Sequence, residues 1–332
     1  MKSFAWLQLF LLSSLAVLIA APLIGGQRVP LEAILHPGHD DPGAMILWKI
    51  RLPRVLVAWI AGAGLAVAGM AFQAMFRNAL ATPFTLGVSS GASLGAVVGV
   101  RLGWSSAFFG ISGVNVCAMV GAMIAIAVVF GLTRFKRDCT TGAMLLAGVA
   151  VNFFFSSLIL LLQYTADFYD TFRILRWLMG GLQMVGFEAP LRTLPFVVAG
   201  SLLLAAHARE LNLLSVGEDL AASRGVAVPR TKAVIFVAVS CMVGVIVSIC
   251  GPVGFVGLMC PHICRLVVGP DHYRLLPATV LFGGAFLVVC DTAARTAFAP
   301  TELPVGIFTS LLGGPFFLWL LLQPPKIAGL TT

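Results

Sequence analysis

The sequence predicts an all-α membrane protein with about ten transmembrane helices, and three observations support this fold class. Hydrophobic residues make up 59% of the 332 residues, charged residues make up only 10%, and the mean hydropathy is +1.01. Soluble domains carry roughly 25% charged residues. The apolar residues also form continuous runs long enough to span a bilayer as helices. These features exclude a soluble enzyme, a nucleic-acid-binding module and a disordered chain.

Hydropathy, together with glycine, proline and charge punctuation, places ten spans. They are Phe4–Ile24, Val55–Phe76, Phe84–Val100, Val114–Leu132, Ala143–Leu162, Leu194–His207, Ala233–Ile249, Phe255–Val268, Leu276–Phe298 and Val305–Leu322. The first run resembles a signal peptide, but it exceeds the roughly 7–15 apolar residues of a signal core. We therefore expect it to be retained as a helix. An even number of spans puts both termini on one side of the membrane.

The basic residues indicate an orientation, although weakly. They lie at the edges of the apolar runs, which is typical of contact with lipid headgroups and not of nucleic-acid binding. With both termini inside, twelve of the 21 Lys and Arg residues fall on the inner edge and nine on the outer edge. This bias favours cytoplasmic termini. The outer residues Arg51, Arg54 and Arg295 run against it and need a reason of their own.

The longest inner segment, about residues 209–230, carries signals of a short amphipathic helix. Ser215 is a candidate N-cap with Glu218 at the capping-box position. Gly225 is a candidate helix stop. An ordinary solvated turn is the alternative interpretation of the same residues.

Two halves of the chain share a faint pattern. Leu52-Pro53-Arg54 opens the second span and Val228-Pro229-Arg230 opens the seventh, and each is followed about 30 residues later by a proline, Pro83 or Pro261. The ten-span topology makes the two units run in opposite directions through the bilayer. Inverted repeats of this kind are frequent in transporters.

Two segments interrupt the spans at membrane depth. Arg77–Pro83 breaks the chain on the inner side, and Gly251–Phe255 breaks it on the outer side. Irregular backbone at this depth is tolerated only where it is buried in protein or lines a cavity. Both segments therefore indicate a translocation path.

The sequence offers little catalytic or ion-coupling chemistry. No nucleophile–base pair is apparent, and no Walker A pattern is present, so ATP hydrolysis would need a separate subunit. Asp291 is the clearest ionisable residue inside a span. It is predicted to pair with Arg295 one turn later, with a proton relay as the alternative. This scarcity of buried charge argues against an ion-coupled transporter.

A metal site is not predicted. Cys260 and Cys264 stand in a short cluster without a second ligand pair, so we expect them to pack inside a membrane helix. His36 and His39, which a haem hypothesis could invoke as iron ligands, are predicted to belong to a plain polar turn.

Several sequence blocks resemble the FecCD family of permease subunits, which belong to bacterial ABC importers for iron–siderophore complexes, haem and vitamin B12. The matching blocks are Arg51–Arg54, Arg77–Pro83, Leu86–Ala92, Trp177–Gly181, Gly251–Leu266, Gly269–Pro277, Glu302–Thr309 and Gly313–Phe317. Together they cover nearly the whole chain. They are specific for the family and say little about the cargo.

The resemblance implies a type II ABC importer permease fold, formed by residues 1–332 as a single transmembrane domain. It also implies a second permease chain (a homodimer, or a related pair), a cytoplasmic ATPase dimer that binds ATP and Mg, and a periplasmic binding protein. The permease itself would bind no cofactor and have no catalytic residues. It would lie in the bacterial inner membrane with both termini cytoplasmic.

The resemblance also assigns residues to roles. The ATPase-coupling residues would be Glu218, Asp219, Ala221, Arg224 and Gly225. The binding-protein docking residues would be Arg51, Arg54 and Arg295. The inner gate would comprise Asn78, Leu80, Thr140 and Thr141.

The function that the resemblance implies is ATP-driven import of a metal chelate. A ferric siderophore is the first expectation, with haem and vitamin B12 as further possibilities. An ion-coupled secondary transporter that acts without an ATPase is the alternative.

Overall fold

The computed structural model describes residues 2–27, 42–104, 107–108, 111–135, 141–182, 186–299 and 301–322, and these form a helical bundle. The helices are α1 (Lys2–Ala20), α2 (Leu52–Phe76), α3 (Val88–Arg101), α4 (Gly113–Phe135), α5 (Thr141–Tyr164), α6 (Phe168–Leu178), α7 (Glu188–Ala206), α8 (Ala208–Val216), α9 (Glu218–Ser223), α10 (Val228–Cys250), α11 (Val256–Val268), α12 (His272–Thr296) and α13 (Val305–Leu322). A short helix, Pro42–Met45, and a π-helical turn, Ile46–Arg51, run directly into α2.

Each of the ten predicted spans overlaps a helix, so the predicted fold class is confirmed. Seven helices of the described chain are long and apolar enough to cross a bilayer, namely those within residues 5–23, 42–76, 113–132, 144–164, 188–206, 228–250 and 272–296. The other three spans correspond to α3, α11 and α13, which have 14, 13 and 18 residues. Helices α3 and α11 fall short of the roughly 17–25 residues that a full crossing needs, and α13 lies at the lower end of that range.

Helix α2 lies at the centre of the bundle and is buried along nearly its whole length. It packs against α7, α10, α11 and α12. Small residues make these close contacts possible. A Cβ atom on Gly69 would overlap the carbonyl oxygen of Gly257 on α11, and one on Gly62 would overlap that of Gly283 on α12. Backbones that approach this closely gain dispersion contacts, which drive helix association where no hydrophobic effect operates.

Helices α2 and α10 run in opposite directions, as the inverted repeat predicts. Phe72 near the end of α2 stacks on Phe236 near the start of α10, with ring centroids 5.7 Å apart. Gly64, in the first half of α2, lies beside Ile246, in the second half of α10. Both helices carry a proline in their first turn, where a missing N–H leaves no intrahelical bond unmade. We call the end of the bundle where α2 begins the Arg54 end, and the opposite end the Arg224 end.

The predicted break at Gly251–Phe255 is present. Residues 251–254 have no regular secondary structure, and Gly251 and Phe255 both have a positive φ of 67°. Helix α11 then starts beside Leu65 and Gly69 of α2 instead of at the Arg54 end of the bundle. The preceding segment therefore enters the bundle as extended chain, which explains why α11 is short.

Helix α6 is an amphipathic helix that was not predicted. Asp167 caps it, because the Asp167 side chain accepts a hydrogen bond from the Asp170 backbone N–H at 2.7 Å. It connects α5 to α7 at the Arg54 end and packs against α3. Two-residue strands, Ala107–Phe108 and Ile111–Ser112, form an antiparallel hairpin before α4.

Candidate functional site

A cluster of charged side chains is buried at the Arg54 end. The Arg54 Nε donates to both carboxylate oxygens of Asp291 at 3.1 and 3.0 Å, and its Nη2 donates to Oδ1 at 2.9 Å. Its Nη1 donates to Glu302 Oε2 at 2.7 Å. The Asp291 side chain is only 1% exposed. Such a paired charge avoids most of the cost of burying an isolated ion.

Two further arginines complete this arginine–carboxylate cluster. Arg295 Nε lies 3.6 Å from Asp291 Oδ2, so the predicted pair one turn apart is confirmed. Arg295 Nη2 donates to the Ala21 carbonyl at 2.7 Å, and Arg51 Nη1 donates to the Pro22 carbonyl at 3.3 Å. These carbonyls lie in the 3-10 turn that follows α1, where the Ala21 oxygen also accepts from the Ile24 N–H at 3.3 Å. The cluster thereby joins α1, α2 and α12.

The three arginines predicted to dock a binding protein thus lie inside the chain, each with about 5% of its surface exposed. Their donors are largely used by Asp291, Glu302 and main-chain carbonyls. Glu302 differs, because its side chain is 43% exposed. Three guanidinium groups against two carboxylates leave one net positive charge in this cluster. Their role in docking a binding protein stays a prediction, and the burial of the three side chains does not support it.

The segment between α2 and α3 forms a tight polar turn at the Arg224 end. Arg77 ends α2 in a left-handed conformation, with φ at 50°. Asn78 Oδ1 accepts from the Leu80 N–H at 2.9 Å, and Leu80 itself is exposed. Of the other predicted gate residues, Thr140 lies outside the described residues, and Thr141 is the first residue of α5.

A groove runs between α3 and α5. Its volume is 530 Å³, and its wall carries hydroxyl and amide groups along with apolar side chains. The lining residues are Phe84, Thr85, Ser89, Ser90, Ser93, Asn152, Ser156, Ile159, Leu160, Gln163, Leu178 and Pro252. Phe84 follows the first predicted break, and Pro252 belongs to the second. The groove therefore connects the two interrupted segments, and no charged residue lines it among the residues described.

At the Arg224 end, α8 is anchored to the start of α12 by one amide side chain. Asn212 Nδ2 donates to Asp271 Oδ1 at 2.8 Å, and Asn212 Oδ1 accepts from the His272 N–H at 2.9 Å. Leu211 and Leu214 are fully buried beneath it. These contacts hold the polar segment against the membrane-spanning helices.

Helix α9 presents a small exposed surface. Asp219, Leu220 and Arg224 are exposed, whereas Ala221 is fully buried. Glu218 Oε1 accepts from Lys232 Nζ at 2.5 Å, which ties the start of α9 to α10. Of the five predicted coupling residues, Glu218 and Ala221 therefore position the helix. The other three lie on or beside its outer face.

The ends of α9 agree only partly with the sequence. Gly225 stops the helix as predicted, with φ at 83°, and its N–H donates to Ala222 O while Val226 N–H donates to Ala221 O. This is a Schellman motif. The prediction for Ser215 was wrong, because its hydroxyl donates to Asn212 O and Gly217 takes the N-cap position without a side-chain cap. The chain enters α8 earlier than expected, which places Ser215 in that helix.

Four positioning residues were missed from the sequence. Asn212, Lys232 and Glu302 act as described, and Gln73 of α2 accepts from Arg265 Nη2 on α11 at 3.1 Å. Glu302 and Gln73 find partners more than 180 residues away, for which a single sequence carries no signal. The pairing of Lys232 with Glu218 was predictable, because Lys232 lies near the start of α10, the helix that follows the acidic start of α9.

The cysteines and histidines form no site among the residues described. Cys260 and Cys264 are fully buried in α11. No group of three or more His, Cys, Asp or Glu residues that could hold a metal ion is found in the described part of the chain. His36 and His39 lie outside the described residues.

Comparisons with known proteins agree with this architecture. The model of the FecCD transport family matches residues 10–323. The cobalamin import system permease protein BtuC of Halobacterium salinarum is 40% identical over 308 residues, covering 91% of this chain and 82% of the relative. The hemin transport system permease protein HmuU of Yersinia pestis is 35% identical, covering 95% of this chain and 94% of the relative.

A solved structure is also similar in fold. It is described as an inward-facing conformation of a metal-chelate type ABC transporter. The TM-score is 0.84 and the sequence identity 31%, with 95% of this chain and 98% of the other chain covered.

Proposed function

The chain belongs to the FecCD transport family, and we propose that it is the membrane permease subunit of an ABC importer for a metal chelate. The observation that carries this proposal is the match in both sequence and fold over at least nine-tenths of the chain to permeases of that kind. A ferric siderophore is the first candidate cargo. Haem and a cobalamin are the other candidates, because two relatives are named as permeases for hemin transport and cobalamin import.

The path for the cargo would follow the groove between α3 and α5. It connects the two interrupted segments, and its wall mixes hydroxyl, amide and apolar groups without a charged residue among those described. Such a surface offers many weak contacts and no strong one, which suits passage of a bulky chelate. Leu80 and Asn78, with Thr140 and Thr141, would close the Arg224 end.

The ATPase would dock on α9. Its exposed face presents an acidic, an apolar and a basic side chain within six residues, namely Asp219, Leu220 and Arg224. Because Asn212 and the pair of Glu218 with Lys232 fix the segment to the helices, a push on α9 would move α10 and α12 as well. Gly225 allows the chain to leave α9 in a left-handed turn.

The binding protein would dock at the Arg54 end. The buried arginines would act there through the net positive charge of their cluster. They would also act through the exposed Glu302, which pairs with Arg54 and could at the same time contact the binding protein. Charge complementarity of this kind chiefly sets the rate and the register of docking.

The assembly would contain two permease chains, as a homodimer or a related pair, with an ATPase dimer that binds the ATP and Mg. This chain would bind no cofactor of its own. The Arg224 end would face the cytoplasm, and both termini would lie on that side of the bacterial inner membrane.

An ion-coupled transporter is less well supported. The candidate coupling residue, Asp291, contacts two arginines, Arg54 and Arg295. A carboxylate that joins α2 and α12 in this way has a structural role, whereas a proton carrier has to lose and regain its charge during transport.

Uptake in cells tests the proposal. A strain that lacks this permease and its relatives would receive the chain with its own ATPase and binding protein, and labelled ferric siderophores, haem and cobalamin would be offered in parallel. We expect uptake of one cargo, abolished by an inactive ATPase. Uptake that is indifferent to the ATPase would contradict the proposal, as would uptake of none of the three.

A further inference from the structure

A second and larger cavity lies apart from the groove, between α4 and α7. Its volume is 1640 Å³, and α10, against which both helices pack, forms its floor. The wall from α4 includes Met119, Val120, Met123, Ile124 and Ala127. Opposite them stand Pro195 and Phe196 of α7, and the floor includes Val245 and Ile249 of α10.

The wall is apolar but not closed. Met119, Val120, Met123 and Ile124 are between 37% and 53% exposed, and Phe196 is 45% exposed. In a helix that spans a membrane, such side chains need an apolar neighbour in place of water. The cavity therefore calls for a hydrocarbon occupant.

The rim at the Arg54 end is basic. Arg173 and Arg176 of α6 and Arg192 of α7 line the cavity there, and Glu188 is the acidic residue among its lining. Arg173 is 36% exposed and lies 3.9 Å from Asp170, and Arg192 is 33% exposed and donates to Glu188 Oε2 at 3.1 Å. Both guanidinium groups therefore have one carboxylate partner and remain partly open to a ligand. Asp170, which pairs with Arg173, adds a second negative charge, so the three arginines leave one net positive charge that favours an anion at the rim.

The depth of the cavity fits one leaflet of a bilayer. Along α4 its wall runs from Val114 to Ala127, which at 1.5 Å per residue is roughly 20 Å. One leaflet contributes about half of the roughly 30 Å hydrocarbon core. A molecule with its charge at the rim and its hydrocarbon against the wall would therefore lie at the depth of a lipid in the leaflet at the Arg54 end.

We propose that this cavity is a binding site for one anionic phospholipid, with the phosphate held by Arg173, Arg176 and Arg192 and the acyl chains lying between α4 and α7. Guanidinium groups suit a phosphate, because they offer planar pairs of donors. A free anion would leave the apolar wall uncovered, and a zwitterionic lipid would bring its own positive charge to a basic rim. The proposal does not depend on the cargo or on the ATPase.

Native mass spectrometry of the full-length protein tests this site. The protein would be released into a non-ionic detergent from nanodiscs that contain equal amounts of phosphatidylglycerol and phosphatidylcholine. We expect one phosphatidylglycerol per chain to stay bound at detergent concentrations that remove phosphatidylcholine. Inorganic phosphate should not displace it, because the acyl chains supply much of the binding.

Three variants isolate the rim. The triple substitution Arg173→Gln, Arg176→Gln and Arg192→Gln should weaken phosphatidylglycerol binding by roughly a hundredfold, at about fivefold for each arginine near a membrane surface. Changing the same three residues to Lys should restore most of it. The matched control, Arg209→Gln with Arg230→Gln and Arg274→Gln, removes three exposed charges at the Arg224 end and should bind as the wild type does.

A fourth variant tests the wall without changing any charge. Val120→Trp would fill the cavity from the α4 side and should also reduce the retained lipid. Circular dichroism and size-exclusion chromatography would establish that each variant is folded. The proposal is overturned if the folded Gln triple variant retains phosphatidylglycerol as the wild type does, if phosphatidylcholine is retained equally, or if inorganic phosphate displaces the lipid.

Discussion

The two ends of the helix bundle place their charged residues in opposite ways. At the Arg54 end, Arg54, Asp291 and Arg295 are buried and meet one another or main-chain carbonyls. At the Arg224 end, Asp219 of the six-residue helix α9 and Arg224, which directly follows that helix, are exposed on either side of the apolar Leu220. The arginine–carboxylate cluster uses charge to join helices, and α9 presents charge to its surroundings.

The charged residues differ in burial because the two ends hold different parts of the chain in place. The cluster at the Arg54 end ties together α1, α2 and α12, which are far apart in sequence. The segment at the Arg224 end is fixed by a few polar anchors, chiefly Asn212, while its outer face stays unused within the chain. A substitution at the Arg54 end should therefore cost stability, whereas one on the outer face of α9 should cost only an interaction.

The largest effect on stability is expected from Asp291→Asn. The substitution leaves Arg295 without its ion-pair partner and Arg54 with only the half-exposed Glu302, and breaking a buried ion pair from one side costs about 3–5 kcal/mol. Denaturant titration in detergent measures the free energy of unfolding. Glu302→Gln is the matched control, because its 43% exposed side chain should cost about 1 kcal/mol or less. Equal losses for the two variants would show that the cluster does not hold the helices together.

A smaller effect is expected from Asn212→Ala. The substitution removes the side-chain hydrogen bonds to Asp271 and to the His272 N–H, and an unsatisfied partly buried group costs about 1–3 kcal/mol. Ser215→Ala is the control, since its hydroxyl makes one exposed local hydrogen bond. The same titration would measure both. A cost for Ser215→Ala as large as that for Asn212→Ala would contradict the role of Asn212 as the anchor.

The smallest effect on stability is expected from Leu220→Ala. Its side chain is 40% exposed, and surface substitutions usually change stability by less than about 0.5 kcal/mol. Affinity for the partner ATPase, measured by surface plasmon resonance on the detergent-solubilised chain, should nevertheless fall roughly tenfold, as at other apolar interface anchors. Unchanged affinity would remove α9 from the docking surface. Val216→Ala is the control, as a 61% exposed apolar residue that precedes α9.

The features predictable from sequence are the local ones. Hydropathy located every span because an apolar run of that length has few alternatives to a membrane helix. Gly225 ends α9, as predicted, because only a residue without a Cβ atom enters a left-handed turn at low cost. The break at Gly251–Phe255 was predictable for the same reason.

Other features depend on contacts that one sequence does not reveal. Arg54 and Asp291 are 237 residues apart, so the sequence does not indicate that they pair. Asp291 and Arg295 are four residues apart on one helix, so their pairing is predictable. The capping-box spacing predicts Ser215 as an N-cap because it is a local pattern. In the structure Ser215 belongs to the preceding helix α8, and Gly217 is the N-cap of α9. Helix α6 was overlooked, although Asp167 as a cap and apolar residues at positions 168, 172 and 175 could have indicated it.

The central claim is that ATP hydrolysis in a partner subunit drives a metal chelate through this chain by way of α9. The most direct test is ATP-driven uptake in proteoliposomes that contain the chain, its ATPase and its binding protein. The substitutions Glu218→Gln, Asp219→Asn and Arg224→Gln would be combined and compared with the wild type. We predict that uptake is lost while the folded structure and ATP hydrolysis persist. Uptake at the wild-type rate by the folded triple variant would contradict the account.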